Sequence, residues 1–481
     1  MYYFVVIIFY LFLLFVVDYF VSRKGGDNVT FFSGNHNSPW YLVAFGMIGA
    51  TISGISVVSV PGMVGAGHWT YLQTCLGFIL GYLIVAFVLL PLYYKLNLTS
   101  IYEYLNIRFG SKSYHIGSAF FVVAKIVSSA TKLYVVIIAL EMFIFSKYNV
   151  PFAVVTVVIV FVMWLYTRRS GIKTIVWTDS LQTLFLVAAI VFMCVDAWKM
   201  LPNNISLSDL WNSELTDIFV WNDFASPRNF WKQFISGAFI VVVMTGLDQD
   251  MMQKNITCKT LKQSRTNMLV YGSAFLPINI ILLLLGTILL FVAQSNSISL
   301  PEAPDNILPF FVSNYMSPIA SVCFLLGIIA ASFSSADSAL TSITTTIAVD
   351  FFNVKSLEQS KAVSLRKNIH IIVSVLFAIL VIAFGYTQNN SIIDTIYTIV
   401  GYAYGPLLGM FAFGLFTKRK PKDALVPYIA VASPIFCLII SWSLSRFCGY
   451  VFGYELLLLN GIFTFVGLFF AFLFIWYIIS C

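Results

Sequence analysis

Between Gly327 and Thr346 the chain reads GIIAASFSSADSALTSITTT. On a helix of 3.6 residues per turn, Ala331, Ser334, Ser335, Ser338, Ser342 and Thr345 fall on one stripe, with Asp337 on its flank. Far upstream, Gly49-Ala50-Thr51-Ile52-Ser53-Gly54-Ile55-Ser56, followed by Pro61-Gly62 and Gly65, mixes glycine with β-branched and hydroxyl residues, which weakens a helix. A break there frees carbonyls. Those of Gly49 and Ile52, with the Ala331 carbonyl and the Ser334 and Ser335 hydroxyls, would make a neutral oxygen cage able to replace the water shell of a hard monovalent cation. Close helix packing through small residues is the other reading of either segment taken alone.

Three further groups carry charge into apolar surroundings. Asp179 and Gln182 of WTDSLQ lie one turn apart on one face, so Asp179 is an ion ligand together with Ser338, a counter-charge, or a salt-bridge partner of Arg168, Arg169 or Lys173. In GLDQDMMQK, Asp248 and Asp250 read as a cytoplasmic gate or as a solvated helix end. Lys125, Ser128, Ser129 and Lys132 share a helical sector, and at 1.5 Å per residue Lys132 lies roughly 24 Å along its helix from residue 116. An ammonium there suits an anionic solute, pairs with Glu141 or Asp337, or faces the outer boundary. Tyr397 and Tyr404 flank a Gly- and Pro-rich bend.

The elements that must position these groups are membrane helices. Of 481 residues 60% are hydrophobic and 10% charged, well below the roughly 25% charged of a soluble domain. Thirteen apolar runs, near 2–22, 40–65, 69–94, 116–146, 149–167, 173–198, 230–250, 267–293, 309–350, 367–387, 391–416, 424–445 and 453–479, predict an all-α integral membrane protein of about 13 spans. Twenty of the 27 lysines and arginines fall in loops on one side, Arg23, Lys24, Lys254 and Arg366 among them, which places the N-terminus outside and the C-terminus in the cytoplasm. The net charge of +7 therefore reports topology and not nucleic-acid binding. Without a G-x-x-x-x-G-K-[ST] loop, energy would come from an ion gradient. The four histidines and seven cysteines are scattered, so neither a metal cluster nor a nucleophile with its base points to an enzyme.

The segments GATIS, WTDSLQ, GLDQDMMQK, AASFSSADS and GPLLGMFAFG occur in that order on spans 2, 6, 7, 9 and 11, and with them the chain resembles the sodium:solute symporters over nearly its whole length. The resemblance implies a LeuT-type fold in a single transporter domain, 1–481. It comprises an extra N-terminal helix (1–22), two inverted five-helix repeats of spans 2–6 (40–198) and 7–11 (230–416), and two C-terminal helices (424–479). It places the main sodium site on Gly49, Ile52, Ala331, Ser334 and Ser335, and a possible second one on Asp179 and Ser338 with Ser334. It puts substrate contacts at Thr51, Ser53, Ser56, Gln73, Met244 and Thr245, to which the depth of Lys132 adds that residue. Methionine at 244 weighs against stacking on a sugar.

The expected activity is sodium-coupled import of a small organic solute by alternating access in a bacterial inner membrane, an anionic one such as a carboxylate or acidic sugar. The lipid bilayer and the solute are the expected partners, with no nucleic acid and no obligate protein partner. A neutral sugar, amino acid or nucleoside as cargo, or a sensor that binds without transporting, are the alternatives.

Overall fold

A computed structural model describes residues 2–22, 27–143, 145–169, 171–224, 226–387, 392–450 and 452–480. Every long element in them is helical. Large apolar side chains lie outside as well as inside: Phe12, Val158, Ile372 and Trp442 are each more than half exposed. On a soluble protein such a surface would aggregate, whereas in a bilayer it is the face that meets lipid.

Among the described residues, eight helices are long and apolar enough to cross a membrane, or up to ten if each of two bent pairs is one span, and the shorter apolar helices Phe152–Thr167, Gly401–Phe416 and Leu456–Phe472 lie where the sequence places further spans. The ninth apolar run divides. A short helix, Ile307–Asn314, ends before Ser317, whose hydroxyl accepts from the Ala320 N–H and so starts the buried helix Pro318–Thr346. Arg23 and Lys24, used for orientation, and the Tyr397 side chain lie outside the described residues.

Two spans are broken, and their sequences explain why. Span 2 consists of Trp40–Thr51 and Gly54–Gly62, bent by 57°. The Ser53 N–H turns to the Thr51 carbonyl instead of continuing the ladder, which leaves Gly49 O without the donor an unbroken helix would supply. Ser53 Oγ then caps the second half by accepting from the Ser56 N–H. Glycine lets this break sit against its neighbours: a Cβ on Gly54 would come within 2.9 Å of Ser332 Oγ on span 9, and one on Gly49 would overlap Thr183 on span 6.

Span 7 consists of Phe230–Gly246, whose last turn is a π-helical widening, and Gln249–Ile256, bent by 64°. Asp248 caps the second half, its Oδ1 accepting from the Asp250 N–H at 2.9 Å and the Met251 N–H at 3.2 Å. Although this half-helix is strongly polar, all of Gln249–Ile256 is buried. The segment 28–38 folds beneath it, with Gln253 Nε2 donating to Phe32 O at 2.8 Å and His36 Nδ1 2.7 Å from Ile256 O.

Two residues counted as loop bases are therefore not free cytoplasmic charges. Lys254 is 1% exposed, and Arg366 is fully buried with its guanidinium 4.4 Å from the centre of the Phe31 ring.

Candidate functional site

The two seams foreseen in the sequence do meet. Ser335 Oγ on span 9 donates to the Ala50 carbonyl at 3.0 Å, at the end of the first half of span 2. One residue earlier, Ser334 Oγ donates to Asp179 Oδ1 on span 6 at 2.6 Å. Both hydroxyl protons are thus committed, so the lone pairs of both oxygens remain available. Ile52, Ala331, Ser334 and Ser335 are all buried here. These neutral donors, with the released Gly49 carbonyl, have the chemistry that a monovalent cation requires.

Beside them lies a charged cluster. Asp179 Oδ2 pairs with Lys254 Nζ at 2.8 Å, and Asp250 Oδ1 stands 3.8 Å from the same ammonium. Asp179 is thus held by Lys254 and not by Arg168, Arg169 or Lys173, because the second half of span 7 carries its lysine into the protein. Gln182, oriented to satisfy its neighbours, donates to Asp179 Oδ1 at 3.2 Å. Ser338 does not reach Asp179: its hydroxyl donates at 3.4 Å to Asp337, which also accepts from Tyr166 OH at 2.6 Å.

Asp248 and Asp250 are buried, which removes the solvated helix end as an account of them. Lys125 Nζ lies 3.1 Å from Asp248 Oδ2 and 2.8 Å from Asp250 Oδ2, and Tyr404 OH donates to Asp248 Oδ2 at 2.7 Å. Spans 4, 7 and 11 are thereby tied together at one point.

This point borders a small cavity of about 100 Å³. Thr51, Ser56, Ser128, Ser129, Lys132, Met244, Thr245 and Ser335 line it, and Phe78, Tyr82, Phe275 and Tyr404 give it aromatic walls. Thr51 Oγ1 lies 2.6 Å from Tyr271 OH, which accepts from Tyr82 OH at 2.9 Å. Lys132 has no hydrogen-bond or ion-pair partner among the described residues, neither Glu141 nor Asp337. On one helix, Lys125 is neutralised and Lys132 presents its charge to the cavity.

Two sequence candidates stand apart from the lining. Ser53 is buried behind it as a helix cap. Gln73 is fully buried and serves the loop between spans 6 and 7, donating to Arg228 O at 3.0 Å and accepting from the Val220 N–H at 3.1 Å. Phe78, Tyr82, Phe275 and Lys254 were missed, whereas Tyr404 stood among the sequence candidates. Phe78, Tyr82 and Phe275 sit in runs already rich in aromatics, but the lysine four residues after Asp250 was a readable i, i+4 pair.

Bent spans 2 and 7, a hydroxyl-lined span 9 and a central polar cavity define a membrane transporter. Residues 31–428 match the sodium:solute symporter family, and the chain belongs to it. It is accordingly a multi-pass membrane protein that couples solute movement to sodium, and not an enzyme.

Among its relatives, the sodium/sialic acid symporter SiaT of Proteus mirabilis is 24% identical over 441 residues, 88% of this chain and 86% of that protein. The sodium/sialic acid symporter NanT of Aliivibrio fischeri is 25% identical over 475 residues, covering 95% and 91%. Among solved structures, a substrate-bound outward-open state of a Na⁺-coupled sialic acid symporter aligns over 98% of both chains with a TM-score of 0.83 at 22% identity. The nucleobase-cation-symport-1 family transporter Mhp1 aligns over 92% of this chain and 93% of its own with a TM-score of 0.55 at 16% identity.

Proposed function

We propose that this chain imports a small anionic solute, a carboxylated sugar of the sialic acid type, down an inward sodium gradient. The observation that carries this reading is Lys132, a cation without a partner among the described residues, in a cavity whose carboxylates, Asp248 and Asp250, are already paired with Lys125 and whose other walls include hydroxyls and aromatic rings. A carboxylate would pair with its ammonium, sugar hydroxyls would meet Thr51, Ser56, Ser128 and Ser129, and a ring face would rest on Phe78 or Phe275 instead of Met244. The sialic acid symporters among its relatives support the same class.

Sodium would bind between the span 2 break and span 9, using Gly49, Ile52, Ala331, Ser334 and Ser335. By holding span 9 against the break it would fix Thr51 and so raise solute affinity, and by linkage solute would raise sodium affinity equally. The second cation place is already filled in this reading: the Lys254 ammonium neutralises Asp179, so a single sodium is carried. Asp248 and Asp250, latched to Lys125 and Tyr404, would be the inner gate, and Gln73 would steady the outer loop. The protein would lie in a bacterial inner membrane with its N-terminus outside and its C-terminus in the cytoplasm, as the lysine and arginine bias favours.

Uptake of labelled sialic acid into proteoliposomes tests this. An inward sodium gradient should drive accumulation that a potassium gradient does not, excess neutral hexose should leave it unchanged, and Lys132→Gln should raise the half-saturating solute concentration at least tenfold. Equal uptake in sodium and potassium, or an unaltered half-saturation in the variant, would overturn it.

A further inference from the structure

On the side where loop lysines and arginines collect, spans 5 and 10 (Gln359–Thr387) border a cavity of about 300 Å³ lined by Trp164, Arg168, Arg169, Lys367, His370 and Ile371. No carboxylate lines it, and Arg168, Arg169 and Lys367 have no ion-pair partner among the described residues. Some other loop bases are occupied: Lys355 pairs with Glu103 at 2.7 Å, and Arg108 Nε donates to the Gly414 carbonyl at 3.1 Å. The Arg168 guanidinium lies 5.1 Å from the centre of the Trp164 ring, which keeps it at the mouth. His370 is wall and not ligand, because Nε2 meets Thr167 Oγ1 at 3.0 Å and Nδ1 meets Thr344 Oγ1 at 2.9 Å.

A second cavity, of about 290 Å³, continues from the first through the shared residues Trp164 and Ile371. It runs between the same helices past Val160, Phe161 and Val375, and its one hydroxyl, Ser374, is spent on the His370 carbonyl at 2.8 Å. From Trp164 to Val157 is two helical turns, about 10 Å of groove that is apolar apart from Ser374.

A basic chamber opening into an apolar groove matches a molecule with an anionic head and a hydrocarbon tail. We propose that the cleft between spans 5 and 10 is a binding site for one anionic phospholipid. Its phosphate sits on Arg168, Arg169 and Lys367, and one acyl chain lies along Val160, Phe161 and Val375. A free phosphate would satisfy the chamber and leave the groove unexplained, so the site is assigned to lipid. This assignment is independent of the transported solute and of the sodium site.

The full-length chain, reconstituted in nanodiscs containing equal phosphatidylglycerol and phosphatidylcholine, tests it by native mass spectrometry of the released protein. One phosphatidylglycerol should be retained at least fivefold over phosphatidylcholine. The triple variant Arg168→Gln, Arg169→Gln, Lys367→Gln should abolish that preference. Val375→Trp, which fills the groove and leaves every charge in place, should lower retention of the lipid as well, so that the proposal does not rest on one variant's folding. Inorganic phosphate at millimolar concentration should not displace the lipid. Undiminished preference in the triple variant, unchanged retention in Val375→Trp, or displacement by phosphate would each overturn the proposal.

Discussion

The break in span 2 and the break in span 7 bend the chain by similar angles, 57° and 64°, and are chemically opposite. At the first the groups facing the break are carbonyls and hydroxyls, with Asp179 behind Ser334 already neutralised by Lys254, so a cation can enter and leave without leaving an unpaired charge behind. Around the second, Asp248, Asp250 and Lys254 are all buried and all paired, with Lys125 on span 4, Tyr404 on span 11 and Asp179 on span 6. A neutral break suits a guest that comes and goes, whereas a charged break suits permanent internal partners whose rearrangement sets the conformation. Buried ion pairs contribute little net stability, but removing one partner exposes the full desolvation cost of the other. The two breaks should therefore respond differently to single substitutions.

The largest effect is expected at the charged break. Lys125→Met leaves Asp248 and Asp250 in the interior without their shared cation, at a cost of about 3–5 kcal/mol. The unfolding temperature in detergent should fall steeply and recover in part when Asp248→Asn and Asp250→Asn are added. A variant as stable as the parent would show that water already compensates these carboxylates, and the contrast between the breaks would disappear.

Lys254→Gln sharpens the contrast further. With the ammonium gone, Asp179 and the Ser334 hydroxyl offer an anionic place that a second sodium can take. The sodium Hill coefficient for uptake should rise from one toward two. A parent protein that already moves two sodium ions per solute would break the single-sodium reading while leaving sodium coupling intact.

At the neutral break the effect is smaller. Ser335→Ala removes the hydrogen bond to Ala50 O and the hydroxyl proposed to hold sodium, a change of about 1 kcal/mol, which corresponds to roughly fivefold weaker sodium binding. Half-saturation by sodium should shift by that factor, with maximal uptake at saturating sodium nearly preserved.

Much of the neutral break was legible in the sequence. Hydroxyl residues that recur once per helical turn in an apolar run must face a partner helix or a cavity, since lipid offers their oxygens nothing, and Ser335 does reach Ala50. The charged break was not legible. A half-helix that reads QDMMQKNI resembles a solvated end, and only the crossing of spans 6 and 7 shows Lys254 entering the interior to a partner 75 residues upstream. Taking Lys254 and Arg366 out of the loop bases still leaves most lysines and arginines in the loops of one side. Gln73 was placed by position along span 3, but whether it faces the cavity depends on how the loop after span 6 folds back, and no periodicity encodes that. The aromatic walls were invisible for a compositional reason: among 46 phenylalanines and 25 tyrosines, Phe78, Tyr82 and Phe275 carry no local mark.

The smallest effect is expected from a carboxylate that belongs to neither break. Asp423, in the loop before span 12, accepts from the Lys112 N–H at 2.9 Å, the Ser113 N–H at 2.8 Å and the Ser113 hydroxyl at 2.6 Å, and so caps span 4 from a distance. Partial burial pushes its pKa up, but the Ser113 hydroxyl, the two N–H groups and the Lys112 ammonium outweigh this and hold the carboxyl below its usual range. A carboxyl depressed in the folded state adds stability above its unfolded pKa of about 3.9 and loses it as pH falls through the lower folded value. Asp423→Ala should therefore cost about 1 kcal/mol at neutral pH, the usual worth of a helix cap, and less as the parent's own cap protonates. Thermal unfolding of parent and variant across that range measures the narrowing gap, and sodium half-saturation should stay within twofold of the parent. A large sodium effect from this peripheral carboxylate would mean that any distortion of span 4 reaches the site, and the distinction between a charged and a neutral break would lose its force.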